Sequence, residues 1–420
     1  MSKRAGVSCV AVLVVSAIAI LGPELAWWLA DLVAERAATS PRSRWYELEE
    51  LGIADIEHEI ERAISVGSSG ISGECVDLRD LQFGNPVVGM EEHVVLQNTE
   101  AWEAGIESGR DSVGYPSLVK NDHGESADGK YYLYYAIHDP YSGIGVAIAG
   151  GPSGPFAKLA NLSWWRPDSR VLRAPRRPRE TSHFSSPVVV WNPAESVWFM
   201  YFHYYANEWE RGRGHQRTAL ATSKSLGSHD WEPWRDADGA LIAVLPTTRD
   251  RWMNSQSTYH SIQRLPTGLW VAFLRGVGGD YAADGTWRQD VAKLGFAVSR
   301  DGRRWAQIPS NPVLQAGDPL GGKSGVYRPV FVALAPTGLL LAWSESDYYD
   351  SSPIVRFGLT RDLEHVVPLS LRLPGLRTSD GAASLRREED TLYVAQGDHV
   401  DVYSLRATPA PDGDSRERTR

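Results

Sequence analysis

The 420-residue chain carries a formal net charge of −9, which argues against general affinity for nucleic acid, because such affinity needs clustered Lys and Arg. Hydrophobic residues make up 42% of the chain and allow a large core, while 39 Gly, 25 Pro, 16 Trp and 17 Tyr indicate aromatic strands joined by many turns. The two cysteines, Cys9 and Cys75, provide no disulfide framework.

Residues 1–30 predict a signal peptide or a membrane anchor. Lys3 and Arg4 precede an apolar run from Ala5 to Gly22, which is about as long as a minimal membrane span. A Trp27–Trp28 pair suits a membrane interface, and no small-x-small cleavage site follows the run, which slightly favours an uncleaved anchor. We therefore expect membrane association through this segment and an extracytoplasmic location, with the body membrane-anchored or secreted.

The rest of the chain divides into three predicted parts. Residues 31–80 form a linker or helical lead-in, whose glutamates are expected on a solvated helix face. Residues 81–406 form the main body, and residues 407–420 have almost no apolar side chains and are expected to be disordered.

The main body contains five similar units, each with a short first strand, an aromatic or aliphatic second strand and a third strand of small residues. The second strands are KYYLYYAIHD (130–139), SVWFMYFHYY (196–205), GLWVAFLRGV (268–277), GLLLAWSESD (338–347) and DTLYVAQGD (390–398). Short turns rich in Gly, Pro, Asn and Asp separate the first strands from the second. This order predicts an all-β fold, a five-bladed β-propeller that follows the N-terminal membrane-targeting helix, and favours it over a β-sandwich.

In a propeller the innermost strands begin around a central channel, so residues at their starts, together with the ends of the second strands, converge on one funnel. This placement gives a set of candidate substrate-binding residues: Tyr115, His138, His183, Ser185, His203, His260, Arg275, Tyr327, Arg328 and Asp380.

The order of units resembles the five-bladed glycosidase superfamily that includes family 43 and family 32 glycoside hydrolases, over roughly residues 85–406. The segments HFSSPVVVWNPAESVWFMYFHYY (183–205) and GHQRTALATS (214–223) are similar to an H-x-S-S-P pattern in uncharacterised bacterial members. The resemblance implies a carbohydrate partner, an oligosaccharide or polysaccharide, and a glycosidase-like activity.

Glycosidic cleavage normally needs two carboxyl groups facing the bond. The family 43 pattern places acids in the first three units, but three other residues stand at those positions in this chain: Tyr115, Ser186 and His260. The acids that we expect to replace them as catalytic residues are Asp111, Asp139 and Glu345.

Each of these acids also has a structural alternative. Asp111 can cap a turn before the first strand, and Asp139 precedes Pro140, a common turn start. Glu345 can pair with Arg356.

No metal motif and no phosphate-binding loop is found, so no metal or other cofactor is expected. Three functions stay open: a glycoside hydrolase that uses carboxylate acid/base chemistry, a non-catalytic carbohydrate-binding or scaffold propeller that has lost the family acids, and a transferase acting on envelope polysaccharide.

Overall fold

The computed structural model describes residues 44–67, 99–103, 114–137, 143–159, 169–173, 184–205, 216–237, 239–248, 252–281, 283, 287–315, 325–334, 338–345, 354–369, 384–388, 391–396 and 399–404. The described residues from Trp45 onward belong to one compact unit. Within this described part, no helix is long and apolar enough to cross a membrane. The predicted N-terminal segment (1–30) and the C-terminal tail (407–420) lie outside the described residues.

Antiparallel sheets account for most of the described chain. Sheet one consists of β1 (Gly114–Lys120), β2 (Tyr131–Ala136), β3 (Gly143–Ala149), β4 (Ala157–Lys158) and β5 (Arg170–Arg173), with β5 paired to β3. Sheet two consists of β6 (Phe184–Asn192), β7 (Val197–Tyr205), β8 (Gln216–Ser223) and β9 (Glu232–Pro233). Sheet three consists of β10 (Gln256–Arg264), β11 (Trp270–Val277), β14 (Lys293–Ser299) and β15 (Ala306–Gln307).

Two further sheets and one hairpin follow the same antiparallel pattern. Between β11 and β14, a separate hairpin consists of β12 (Gly279–Tyr281) and β13 (Trp287–Gln289). Sheet four consists of β16 (Val326–Leu334), β17 (Gly338–Glu345), β18 (Ile354–Thr360) and β19 (Val367–Leu369). Sheet five consists of β20 (Ser384–Glu388), β21 (Thr391–Gln396) and β22 (His399–Ser404).

The first strands of successive sheets contact one another: β1 contacts β6, β6 contacts β10, β10 contacts β16, β16 contacts β20, and β20 contacts β1. Serine side chains join several of these neighbours, because Ser117 Oγ accepts a hydrogen bond from Val189 N (3.2 Å) and Ser261 Oγ accepts one from Phe331 N (3.3 Å). The result is a propeller-like arrangement, as the repeat predicted.

Four of the second strands, β2, β7, β11 and β17, are buried on both faces over nearly their whole length, because these sheets pack between their neighbours. In β7 every residue from Trp198 to Tyr204 is buried, and most of them are aromatic. Long, flat side chains fill the wedge between adjacent sheets, and their apolar area supplies most of the hydrophobic stabilisation.

A short helix, α1 (Ile56–Gly67), lies within the predicted lead-in. Asp55 Oδ1 accepts a hydrogen bond from His58 N (3.0 Å) and caps the start of this helix. Ile60, Ala63 and Ile64 are buried at helical spacing and join the core between sheets three and four. Glu59 Oε1, also on α1, accepts a hydrogen bond from Arg300 Nη2 (2.6 Å).

A central cavity of about 730 Å³ runs between the first strands and is lined in part by α1. Its walls come from the later residues of those strands, for example Leu118, Val190, Gln263 and Val332. The starting ends of the same strands therefore lie beyond the cavity, and these ends carry the polar residues described next.

Candidate functional site

A β-bulge interrupts four of the first strands near their starting ends. The pairing register shifts after Gly114, Ser185, Thr258 and Tyr327. One non-glycine residue within each bulge has a left-handed backbone: Tyr115 (φ 54°), Ser186 (φ 51°), Tyr259 (φ 44°) and Arg328 (φ 50°). Such backbone costs energy for any residue with a Cβ and is concentrated at functional sites in proteins.

The bulge changes how the third unit aligns with the others. In sheets one, two and four the left-handed residue precedes a proline, and in sheet three it precedes His260. Tyr259, rather than His260, is therefore the counterpart of Tyr115 and Ser186. The sequence comparison of the units placed His260 at that position, one residue too late, because a bulge cannot be recognised from the residue pattern alone.

Side chains from three sheets meet at these ends. The rings of Tyr115 and Tyr259 lie 5.9 Å apart, and the His203 ring lies 4.9 Å from the Tyr259 ring. Two arginines and a third tyrosine complete the group, which we call the hub cluster and define as Tyr115, His203, Tyr259, Arg275, Tyr327 and Arg328. The sequence predicted five of these six as substrate-binding residues, and Tyr259 joins them in the structure.

Both arginines of the hub cluster lie over tyrosine rings. The guanidinium carbon of Arg275 is 4.2 Å from the centroid of Tyr259 and 5.6 Å from that of Tyr327. The guanidinium carbon of Arg328 is 5.7 Å from the centroid of Tyr115. These distances fall within the range of cation–π attraction, so the two cations and the rings stabilise one another.

Three neutral side chains accept hydrogen bonds from the Arg275 guanidinium. Its Nη2 donates hydrogen bonds to Gln256 Oε1 (2.6 Å), Thr258 Oγ1 (2.9 Å) and Gln216 Oε1 (3.2 Å). Gln216 and Gln256 are the first residues of β8 and β10. The sequence pattern indicated neither residue. Gln216 stands at the start of a third strand, where no candidates were expected, and β10 begins at Gln256, two residues before the predicted first strand (258–264).

The two described histidines of the predicted site have different surroundings. The His203 ring packs against Tyr259 in the hub cluster at an interplanar angle of 55°. His260 is 5% exposed, its Nδ1 lies 3.1 Å from Thr218 Oγ1, and burial lowers its pKa from 6.5 to about 4. His260 is therefore neutral at physiological pH and belongs to the packing beneath the cluster.

Burial also affects the pKa of a tyrosine hydroxyl and the hydrogen bonding of two serine hydroxyls at this site. It raises the pKa of Tyr259 well above its usual value of 10, with a smaller effect from Tyr115 in the same direction. Ser185 and Ser186 are buried, and neither hydroxyl has a hydrogen-bond partner among the described residues.

Of the three predicted catalytic acids, only Glu345 lies among the described residues. Glu345 ends β17 opposite Val326, and its Oε2 accepts a hydrogen bond from Arg356 Nε (2.8 Å), which is the structural alternative foreseen for it. Asp111 and Asp139 lie outside the described residues. So do three predicted substrate-binding residues: His138, His183 and Asp380. The hub cluster, as far as the chain is described, holds no carboxylate.

Comparison with known proteins supports the fold. No protein-family model matches the chain, and no curated protein sequence is similar to it. A solved structure of a candidate glycosidase from Bacteroides thetaiotaomicron is similar at 14% identity and a TM-score of 0.50, covering 79% of this chain and 99% of its own.

Two other solved structures are similar at lower TM-scores. A thermostable family 43 glycoside hydrolase shares 15% identity over 71% of this chain and 95% of its own, with a TM-score of 0.47. A structure from a study of mannoside phosphorylases and glycoside hydrolases that target β-1,2-mannosidic linkages in Candida mannan shares 13% identity over 79% of this chain and 95% of its own, with a TM-score of 0.48. Of these three, the structure with a TM-score of 0.50 supports the propeller-like fold of this chain.

Proposed function

We propose that this protein is a carbohydrate-binding β-propeller that takes up a sugar at the hub cluster. One observation carries the proposal: the four described bulges present Tyr115, Ser186, Tyr259 and Arg328, and none of these is an acid. Tyrosine faces suit stacking against the C–H face of a sugar ring, while hydroxyl and guanidinium groups suit its oxygens.

Binding fits the described residues better than hydrolysis. A glycosidase needs one carboxyl group to protonate the leaving oxygen and a second to activate water or attack the sugar. Glu345 is held by Arg356, so it is a poor candidate for either role. The described hub cluster thus offers recognition groups without the acid pair.

Hydrolysis is the second candidate, and one observation favours it. Gly114 of β1 pairs with Ala136 of β2 at the bulged end of sheet one. In sequence, Asp111 stands just before β1 and Asp139 just after β2. Two acids that flank paired strand ends are suited to supply the two carboxyl groups, and the glycosidase-like relatives of the fold support this reading.

The complete architecture that we propose is a five-bladed propeller. Sheet five, with three described strands, is the fifth blade, and its contacts with β1 and β16 support closure of the ring. We further propose that the N-terminal segment (1–30) places this body outside the cytoplasm, membrane-anchored or secreted.

A glycan array and a hydrolysis screen of the full chain test the proposal. We expect saturable binding to a carbohydrate without turnover, weakened by Tyr115→Ala and unchanged by Asp111→Asn or Asp139→Asn. Turnover that disappears in both aspartate variants would establish the second candidate instead. Absence of any carbohydrate binding would refute both.

A further inference from the structure

The hub cluster contains a buried cation that has no acid partner in the part of the chain that the structure describes. Arg275 is 4% exposed, yet its described hydrogen-bond acceptors are the neutral oxygens of Gln216, Gln256 and Thr258. Its Nε has no hydrogen-bond partner among the described residues. The ion pairs found between described residues do not include Arg275. A guanidinium keeps its charge in any protein, and a buried charge is costly unless an opposite charge compensates it.

A second cation lies close to the first. Arg328 is half-buried and lies over Tyr115, whose ring is adjacent to the Tyr259 ring that covers Arg275. Two adjacent tyrosines therefore separate two positive charges at the bulged ends of the strands. Water is partly excluded there, which strengthens the attraction of both charges for an anion.

We propose that the hub cluster selects acidic glycans, and that it binds the carboxylate of a uronic-acid residue. This inference rests on the proposed function, because it names the class of carbohydrate that the same site takes up. The half-buried Arg328 contacts the carboxylate, since a guanidinium matches the planar, two-oxygen geometry of that group. Arg275 lies against the Tyr259 ring, is 4% exposed and acts through its charge, while Tyr115 and Tyr259 stack against the sugar.

A carboxylate fits this site better than the other anions found on sugars. A sulfate or phosphate ester presents three outward oxygens and is usually met by several exposed donors. The described site places the half-buried Arg328 guanidinium beside flat aromatic faces, which suits a planar group attached to a sugar ring.

The test measures binding of the full chain to matched oligosaccharides by calorimetry. The probes are oligogalacturonates and oligoglucuronates, their methyl esters, the corresponding neutral oligosaccharides, and sulfated oligosaccharides of similar length. We expect the free acids to bind about tenfold more tightly than their methyl esters, since hydrogen bonds to charged groups are worth more than neutral ones. Added salt should reduce this difference.

Variants assign the preference to the two arginines. Arg328→Gln should remove most of the preference for the acid over the ester, and Arg304→Gln, which removes a charge from an exposed pair with Asp301, should leave it unchanged. Arg275→Gln should reduce the preference, and Arg275→Lys should retain it, because the charge is kept. If the Arg275 variants fold poorly, Arg328→Gln still tests the preference, because Arg328 is only half-buried.

The possible results separate this inference from the proposed function. Equal affinity for acids, esters and neutral sugars overturns the acidic preference and leaves carbohydrate binding intact. Tighter binding of sulfated than of carboxylated sugars overturns the choice of carboxylate. Binding of none of the probes overturns the acidic preference, and the glycan array then decides whether carbohydrate binding stands.

Discussion

The guanidinium carbon of Arg275 lies 4.2 Å from the centroid of the Tyr259 ring, and the two residues occupy neighbouring strands, β11 and β10. A cation–π contact in a desolvated place is worth about 2 kcal/mol. We therefore expect Tyr259→Leu to lower the free energy of unfolding by about 2 kcal/mol and Tyr259→Phe, which keeps the ring, by less. Urea unfolding followed by tryptophan fluorescence measures both variants. Equal losses would show that the hydroxyl, and not the ring, matters to Arg275.

Backbone strain at the bulges gives a second prediction. Ser186 has a left-handed backbone and a buried hydroxyl that lacks a partner among the described residues, so Ser186→Gly should stabilise the fold by about 1 kcal/mol. Ser196→Gly is the matched control, because Ser196 is also left-handed (φ 53°) but lies exposed in the turn between β6 and β7. Thermal unfolding should show the larger gain for Ser186. A larger gain for Ser196 would mean that the buried hydroxyl carries no cost.

The pH dependence of stability should depend on His260. Burial lowers its pKa from 6.5 to about 4, so between these values the unfolded chain binds a proton that the folded chain does not. The free energy of unfolding should therefore fall by about 3 kcal/mol as pH drops from 6.5 to 4, and this contribution should level off below pH 4.

His260→Gln removes that titration and keeps a polar side chain next to Thr218. Urea unfolding of wild type and variant at several pH values should give curves that converge as the pH falls. Parallel curves would contradict the assignment of a buried, neutral His260.

A buried ion pair on sheet one gives a fourth prediction. The Glu103 carboxylate is fully buried, accepts a hydrogen bond from Tyr135 (2.8 Å), and pairs with Lys158. Glu103→Gln removes the counter-charge of Lys158, whose side chain is 14% exposed, and should cost about 3 kcal/mol.

Glu345→Gln is the control, since Glu345 pairs with the half-exposed Arg356 and should cost less than about 1 kcal/mol. The same variant should leave glycan binding unchanged. Chemical denaturation of the two variants side by side measures the difference, and equal costs would argue against a buried role for Glu103.

The second strands were the most predictable part of the fold. The segments 196–205 and 268–277 correspond to β7 (Val197–Tyr205) and β11 (Trp270–Val277), because long aromatic runs bounded by turn residues leave few alternatives. The outer strands β9 and β15 have two residues each, too few for a periodic signal.

The site was less predictable than the fold. The sequence located Tyr115, Tyr327 and Arg328, because they stand at strand starts in successive units. It could not show that Tyr259 and Arg275 contact each other, or that Gln216 supports Arg275, since these contacts depend on strand register and a bulge. Contacts of this kind between buried side chains arise from tertiary packing, and they leave no recognisable pattern in the local sequence.

The most direct test of carbohydrate binding at the hub cluster is a crystal structure of the chain with an oligosaccharide found to bind it. We expect a sugar ring within roughly 4 Å of the Tyr115 and Tyr259 side chains, with a polar group of the sugar at Arg328. A sugar bound elsewhere, for example in the central cavity beside α1, with the hub cluster empty, would contradict this expectation.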